Sequence, residues 1–134
     1  MAAQGRKNVH GKTGVRFKTG WTATREKAMQ RNVVTELILH EKVTVTSGVS
    51  KQLVKNIDHL ITLAKKNTLA SRREALKILR NEKIDDKKAF TKLFKELGPR
   101  YMNRKGGYTH QYKCVNRRGD GAKRVIVSLV EEKK

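Results

Sequence analysis

Between Ser50 and Lys66 the apolar residues Leu53, Ile57, Leu60, Ile61 and Ala64 recur at three- and four-residue intervals, with Lys51, Lys55 and Lys65 between them. A period near 3.6 puts the apolar side chains on one stripe of an α-helix and the lysines around the other side. A helix with one apolar stripe has to bury it against a second layer, so the rest of the chain must supply that layer.

Three further segments carry the same period. Thr22 or Thr24 is suited to cap a helix that runs through Met29, Val33, Val34, Leu37 and Ile38 and ends near His40. SRREALKILRN sets Leu76 and Leu79 on a stripe, and after the polar break NEKIDD, Asp85 is placed to cap a fourth helix bearing Phe90, Leu93, Phe94 and Leu97. Gly98 and Pro99, the only proline, read as its stop signal. Strand patterns fill the gaps. KVTVTS, from Lys42 to Ser47, alternates β-branched and polar residues, while YTHQYKCV and VIVSLV flank a Gly-Asp-Gly turn as a hairpin. No internal repeat is present. The expected fold is α/β, a two-layer sandwich in the order helix, strand, three helices, two strands, with a small three-stranded mixed sheet covered by helices on one face.

The chain has 134 residues, one domain's worth, and the expected division is a basic N-terminal arm over 1–21 followed by a single domain over 22–134. Against 12 acids stand 32 lysines and arginines, a net charge of +20 with a pI near 10.5. Such a surface repels itself unless a polyanion neutralises it, which points to nucleic acid. A membrane partner is disfavoured because the longest apolar run, VIVSLV at Val125 to Val130, is far too short to span a bilayer. Cys114 is the only cysteine, so no disulfide forms within the chain and a reducing compartment fits. MAAQGRKN lacks the apolar stretch of a secretory signal and reads as mature sequence.

Enzymatic motifs fail on spacing. GRKNVHGKTG resembles a phosphate-cradling loop built on Gly11, Lys12 and Thr13, but Gly5 lies one residue too far from Gly11 and no apolar strand precedes it. His10, His40, His59 and His110 lack any metal-binding spacing, Cys114 follows a strand pattern, and no carboxylates pair for acid–base work. No catalytic residue, metal or cofactor is expected.

The cations are more informative. Lys51, Lys55, Lys65, Lys92 and Lys95 suit the solvated faces of amphipathic helices. The segment from Gly98 to Arg124 is different, because Arg100, Arg104, Lys105, Lys113, Arg117, Arg118, Lys123 and Arg124 are offset by Asp120 alone. Arginine forks grip phosphate oxygens, glycines at Gly106 and Gly107 admit a sugar-phosphate chain, and Tyr101 and Tyr108 are expected to stack on unpaired bases. KGGYTHQY has some likeness to the aromatic strand of an RNA-recognition motif, yet three consecutive helices contradict that fold. The arm adds Arg6, Lys7, Lys12, Arg16 and Lys18, and the first helix adds Arg25, Lys27 and Arg31. Three basic surfaces on one small unit suit the shape of a large folded RNA, and no helix-turn-helix or zinc finger offers a base reader for DNA.

Six blocks resemble the bacterial large-subunit ribosomal protein L17 family: REKAMQRN at Arg25, ITLAKK at Ile61, SRREAL at Ser71, KLFKELGPRY at Lys92, RKGGYT at Arg104 and RRGDGA at Arg117. The resemblance runs from about Thr24 to Val130. It implies a helix, a strand, three helices and two strands, and a structural, non-catalytic role. It also implies binding to large-subunit ribosomal RNA near the exit side of the peptide tunnel, beside neighbouring large-subunit proteins, with no membrane or small-molecule partner. The implied location is the cytoplasm of a bacterium, with an organelle left open. Departures from the family pattern include SGVSKQ, which keeps only Lys51 of a lysine-rich run, and AKRV, which adds Lys123 and Arg124. A longer arm carries Trp21, read as a staple to the core. Two other readings stand beside this one, a nucleotide hydrolase built on Lys12 and a free-standing DNA-compacting protein.

Overall fold

The computed structural model describes residues 22–81, 83–84 and 87–131. Helix α1 spans Ala23–His40, and the Thr22 hydroxyl oxygen accepts from the Arg25 N–H at 3.3 Å, an N-cap. It ends at Glu41, whose φ of 59° turns the chain into strand β1, Lys42–Thr46. Helix α2, Ser47–Lys66, follows without a loop and ends at Asn67, again in the left-handed region with φ 47°. Helix α3, Leu69–Ile78, is capped by Thr68, whose hydroxyl accepts from the Ser71 N–H. Two short strands, β2 (Lys83–Ile84) and β3 (Lys87–Lys88), pair antiparallel within the polar break. Helix α4 covers residues 89–100 in three pieces, Ala89–Lys92, a π-turn at Leu93–Leu97 and Gly98–Arg100. Strands β4, Thr109–Lys113, and β5, Arg124–Leu129, close the order.

The α/β expectation holds: the described residues form four helices and a three-stranded sheet in the order β1-β5-β4. The sheet differs in direction. Both pairings are antiparallel, so it is not mixed; β5, the most apolar strand, takes the centre, where a neighbour covers each edge. Val43, Val45, Val125, Val127 and Leu129 share the inner face through the pairs Val43↔Val127 and Val45↔Val125. They meet Val34, Leu37 and Ile38 of α1, Leu53, Ile57, Leu60 and Ile61 of α2, and Leu93 and Leu97 of α4 in one core.

Four expectations are corrected. Helix α2 starts about one turn earlier than Ser50, at Ser47. The buried stripe of α3 is Ser71, Ala75 and then Leu79, and Leu76 is 54% exposed. Small residues let α3 sit close to its neighbours, and the large leucine faces outward. At the start of α4, Lys88 occupies the N-cap position, and Asp85 lies outside the described residues. Gly98 and Pro99 do not stop α4, which turns once more to Arg100. A helical proline collides with the carbonyl four residues back, here that of Lys95, and the wider π-turn relieves that crowding. Gly98 serves packing: a Cβ there would lie 3.2 Å from the Ala64 carbonyl oxygen of α2.

Polar bonds tie the layers together. Arg31 of α1 donates Nε to the Ile78 carbonyl at 3.1 Å and Nη2 to the Leu79 carbonyl at 3.2 Å, closing the C-terminal end of α3. The Arg80 N–H donates to the buried Thr35 hydroxyl at 3.0 Å. Tyr101, fully buried, donates its hydroxyl to the Val130 carbonyl at 2.5 Å, joining the end of α4 to the end of β5.

Candidate nucleic-acid interface

Two basic loops flank β4, and each is held in shape by its own cations. In the first, after Tyr101, the Arg104 Nε donates to the carbonyls of Gly106 and Gly107, both at 3.1 Å, and Gly107 turns the chain at φ 63°. Lys65 reaches across from α2 and donates to the Arg104 carbonyl and, at 2.9 Å, to the Tyr108 hydroxyl. Lys65 is thus a loop anchor. Lys92, also expected on a solvated face, donates to the Leu39 carbonyl at 2.9 Å and pairs with Glu41 at 2.9 Å.

The second loop, residues 114–123, joins β4 to β5. The Arg117 N–H donates to the Ala122 carbonyl at 2.9 Å, and the Asp120 carboxylate accepts from the Arg117 guanidinium and, at 3.2 Å, from the Ala122 N–H. These bonds, the Arg117 ones first, hold the Asp120 carboxyl well below the usual carboxylate range. Gly119 and Gly121 supply the positive φ values that the turn needs. Arg124 donates Nε to the Val115 carbonyl at 3.0 Å. The lone acid of the basic segment therefore organises a turn and does not dilute the whole cluster.

The expected RNA-facing residues divide by these bonds. Lys27, Lys105, Lys113, Arg118 and Lys123 are exposed, with no side-chain partner among the described residues, and Arg25 is exposed as well. Arg31, Arg104, Arg117 and Arg124 spend donors on internal acceptors. Arg100 is held by Glu41, with Nη1 to Oε2 at 2.8 Å and Nη2 to Oε1 at 3.3 Å. That pairing raises the Arg100 pKa and lowers the Glu41 pKa from its ordinary 4.5. Tyr101 and Tyr108 are corrected: their rings are buried against each other, centroids 5.3 Å apart, so neither offers a face to a base. Arg6, Lys7, Lys12, Arg16, Lys18 and Trp21 lie outside the described residues, as does the GRKNVHGKTG loop.

Residues not singled out in the sequence also stand exposed. Arg72 and Arg73 project from α3, whose misjudged stripe hid that face, and Tyr112 is 54% exposed on β4. Alternation along YTHQYKCV, which sets Tyr112 on the same face as His110, is the signal that the sequence offers for it. Among the described residues no three His, Cys, Asp or Glu side chains are grouped to hold a metal, and no helix is long and apolar enough to cross a membrane.

A family profile described as "Ribosomal protein L17" matches residues 29–130. Three curated relatives carry the name "Large ribosomal subunit protein bL17". That of Syntrophotalea carbinolica is 46% identical over 92% of this chain and 75% of its own. Those of Staphylococcus carnosus and Onion yellows phytoplasma are 47% and 44% identical, each over 84% of this chain and 97% of its own.

Proposed function

The chain belongs to the ribosomal protein L17 family, and from that premise we propose that it holds large-subunit ribosomal RNA in one geometry through its basic loops, near the exit side of the peptide tunnel. Family membership makes it a structural, non-enzymatic component of the large ribosomal subunit, in the cytoplasm. Its partners are that RNA and the ribosomal proteins beside it. The arm over 1–21, with Arg6, Lys7, Lys12, Arg16 and Lys18, extends the RNA surface and orders on it, ahead of a single domain over 22–134.

One observation carries the RNA reading. Lys105, Arg118 and Lys123 stand exposed on loops whose backbones are fixed by Lys65, Arg104, Arg117 and Arg124, with Lys113 exposed at the end of β4 between them, while Asp120 is spent within its turn. Cations on a pre-shaped loop give up little conformational freedom when they meet phosphates, and each phosphate neutralised releases a counterion.

The test has two arms. The tagged chain is followed through a sucrose gradient in moderately high salt, where it is expected to stay with the large subunit in fixed ratio; release into free fractions or onto DNA would overturn the reading. Lys105→Glu with Arg118→Glu is then expected to weaken binding to large-subunit ribosomal RNA by about 10-fold or more and to flatten the salt dependence, with the fold intact by circular dichroism. Unchanged affinity would remove these loops from the interface.

A further inference from the structure

Among the described residues no helix lies over the outer face of the three-stranded sheet. Paired residues of an antiparallel sheet point to the same side, so the pairs His110↔Ser128, Tyr112↔Ile126, Lys42↔Ser128 and Thr46↔Arg124 gather one row of side chains opposite the buried valines. Tyr112 stands on this face 54% exposed, with the His110 ring beside it at a centroid distance of 6.1 Å, tilted by 46°. A groove of about 600 Å³ runs alongside, lined by His40, Lys42, His110, Tyr112, Ser128 and Glu131 among others. Its size suits one nucleotide.

From this face we infer a binding site for a single unpaired RNA nucleotide, its base stacked on Tyr112 beside His110 and its phosphate held by Lys42. The inference rests on the RNA-binding reading above and adds a base-stacking site to a surface otherwise made of phosphate contacts. Charge selects the occupant. On this face the three strands carry Lys42 and Arg124 and no acid, and Lys123 stands exposed at the entry to β5. The Glu41 carboxylate at the groove is already neutralised by Arg100 and Lys92. Glu131, which also lines the groove, is an acceptor matched to the amino edge of a base. An exposed aromatic ring on a sheet face that carries Lys42 and Arg124 fits a nucleotide better than an apolar or basic peptide.

The stack also separates from the loops in what it predicts. A base lying on an aromatic ring contributes affinity with no phosphate contact, so its removal leaves the salt slope unchanged, unlike removal of a lysine.

The experiment uses the full chain and intact large-subunit ribosomal RNA. Tyr112→Leu is expected to weaken binding by about 10-fold at unchanged salt slope, and Tyr112→Phe to stay within about 3-fold of the parent. Ultraviolet irradiation of the unmodified chain on the RNA is expected to crosslink the β4 peptide containing Tyr112 to a nucleotide that is not base-paired. Equal affinity of the Leu and parent chains overturns the site and leaves the RNA reading standing. A crosslink from β4 to a protein neighbour in assembled subunits, with none to RNA, overturns it in favour of a protein contact. Failure of the parent chain to bind the RNA at all sinks both readings together. The crosslink uses the native tyrosine, so a folding defect in the Leu variant does not decide the matter.

Discussion

Glu41 shows how much one side chain does here. Its backbone adopts φ 59° to end α1, its carbonyl accepts from the Leu129 N–H at 2.9 Å, and its carboxylate bridges Arg100 and Lys92 from α4. The two cations also lie near the negative end of the α1 dipole, and Lys92 donates directly to the Leu39 carbonyl. Glu41→Gln keeps the shape and leaves two half-buried cations without a counter-charge, so it is expected to cost about 1–3 kcal/mol. Hydrogen bonds from Arg100 first, and from Lys92, lower the Glu41 pKa below 4.5. A depressed carboxyl stabilises fully above its unfolded value and loses that contribution as pH falls through the folded one. Urea midpoints of parent and variant are therefore expected to differ at pH 7 and to converge towards pH 3. Asp58, whose pKa burial raises, has the opposite sign, but it is common to both chains and cancels in the comparison. A gap of equal size at both pH values would show that the charge is not its source.

Between elements, the contact of α4 with α2 turns on Gly98. Alanine there gains about 1 kcal/mol of helix propensity. Against that, its Cβ would press on the Ala64 carbonyl oxygen at 3.2 Å and its carbon at 3.4 Å, backbone atoms within α2 that have little room to give. Overpacking of this kind costs about 1–3 kcal/mol. Gly98→Ala is thus expected to lower stability by about 1 kcal/mol net, read from the urea midpoint, and a raised midpoint would show that α4 slides to admit the methyl group. The same elements show what a sequence reveals. The α2 stripe was legible because large aliphatics and lysines alternate at helical spacing. The α3 stripe was not, because Ser71 and Ala75 make close contacts with almost no hydrophobic signal. The β2–β3 pair is two residues long on each side, too short to show any period. Cations were legible as a class, yet which of them are engaged depends on distant partners: Arg31 finds its carbonyls 47 and 48 residues away, and Arg100 its acid 59 away. Local pattern carries no trace of such contacts. For the same reason Tyr108 read as a stacking platform and Tyr112 did not, although the first is covered by Tyr101 and the second faces outward.

Over the whole molecule, 32 lysines and arginines face 12 acids, and several of those acids are committed to local pairs such as Glu74 with Lys77 and Asp120 with Arg117. The excess cations repel one another across a small body, which opposes the compact state. Salt acts on both kinds of interaction. It weakens exposed pairs like these, and it screens the long-range repulsion of a net +20 charge, with the Debye length falling from about 30 Å at 0.01 M to about 10 Å at 0.1 M. Repulsion involves every unpaired cation, whereas attraction involves a few exposed contacts, so screening should win. The melting temperature of the free chain is expected to rise by about 3–6 °C over that salt range, the shift that roughly 1 kcal/mol produces in a domain of this size. Large-subunit ribosomal RNA at low salt should raise it further, because a ligand that binds only the folded state adds its own free energy. A melting temperature that falls with salt would mean that specific ion pairs, the Glu41 bridge foremost, outweigh self-repulsion, and that the fold does not depend on a polyanion for its charge balance.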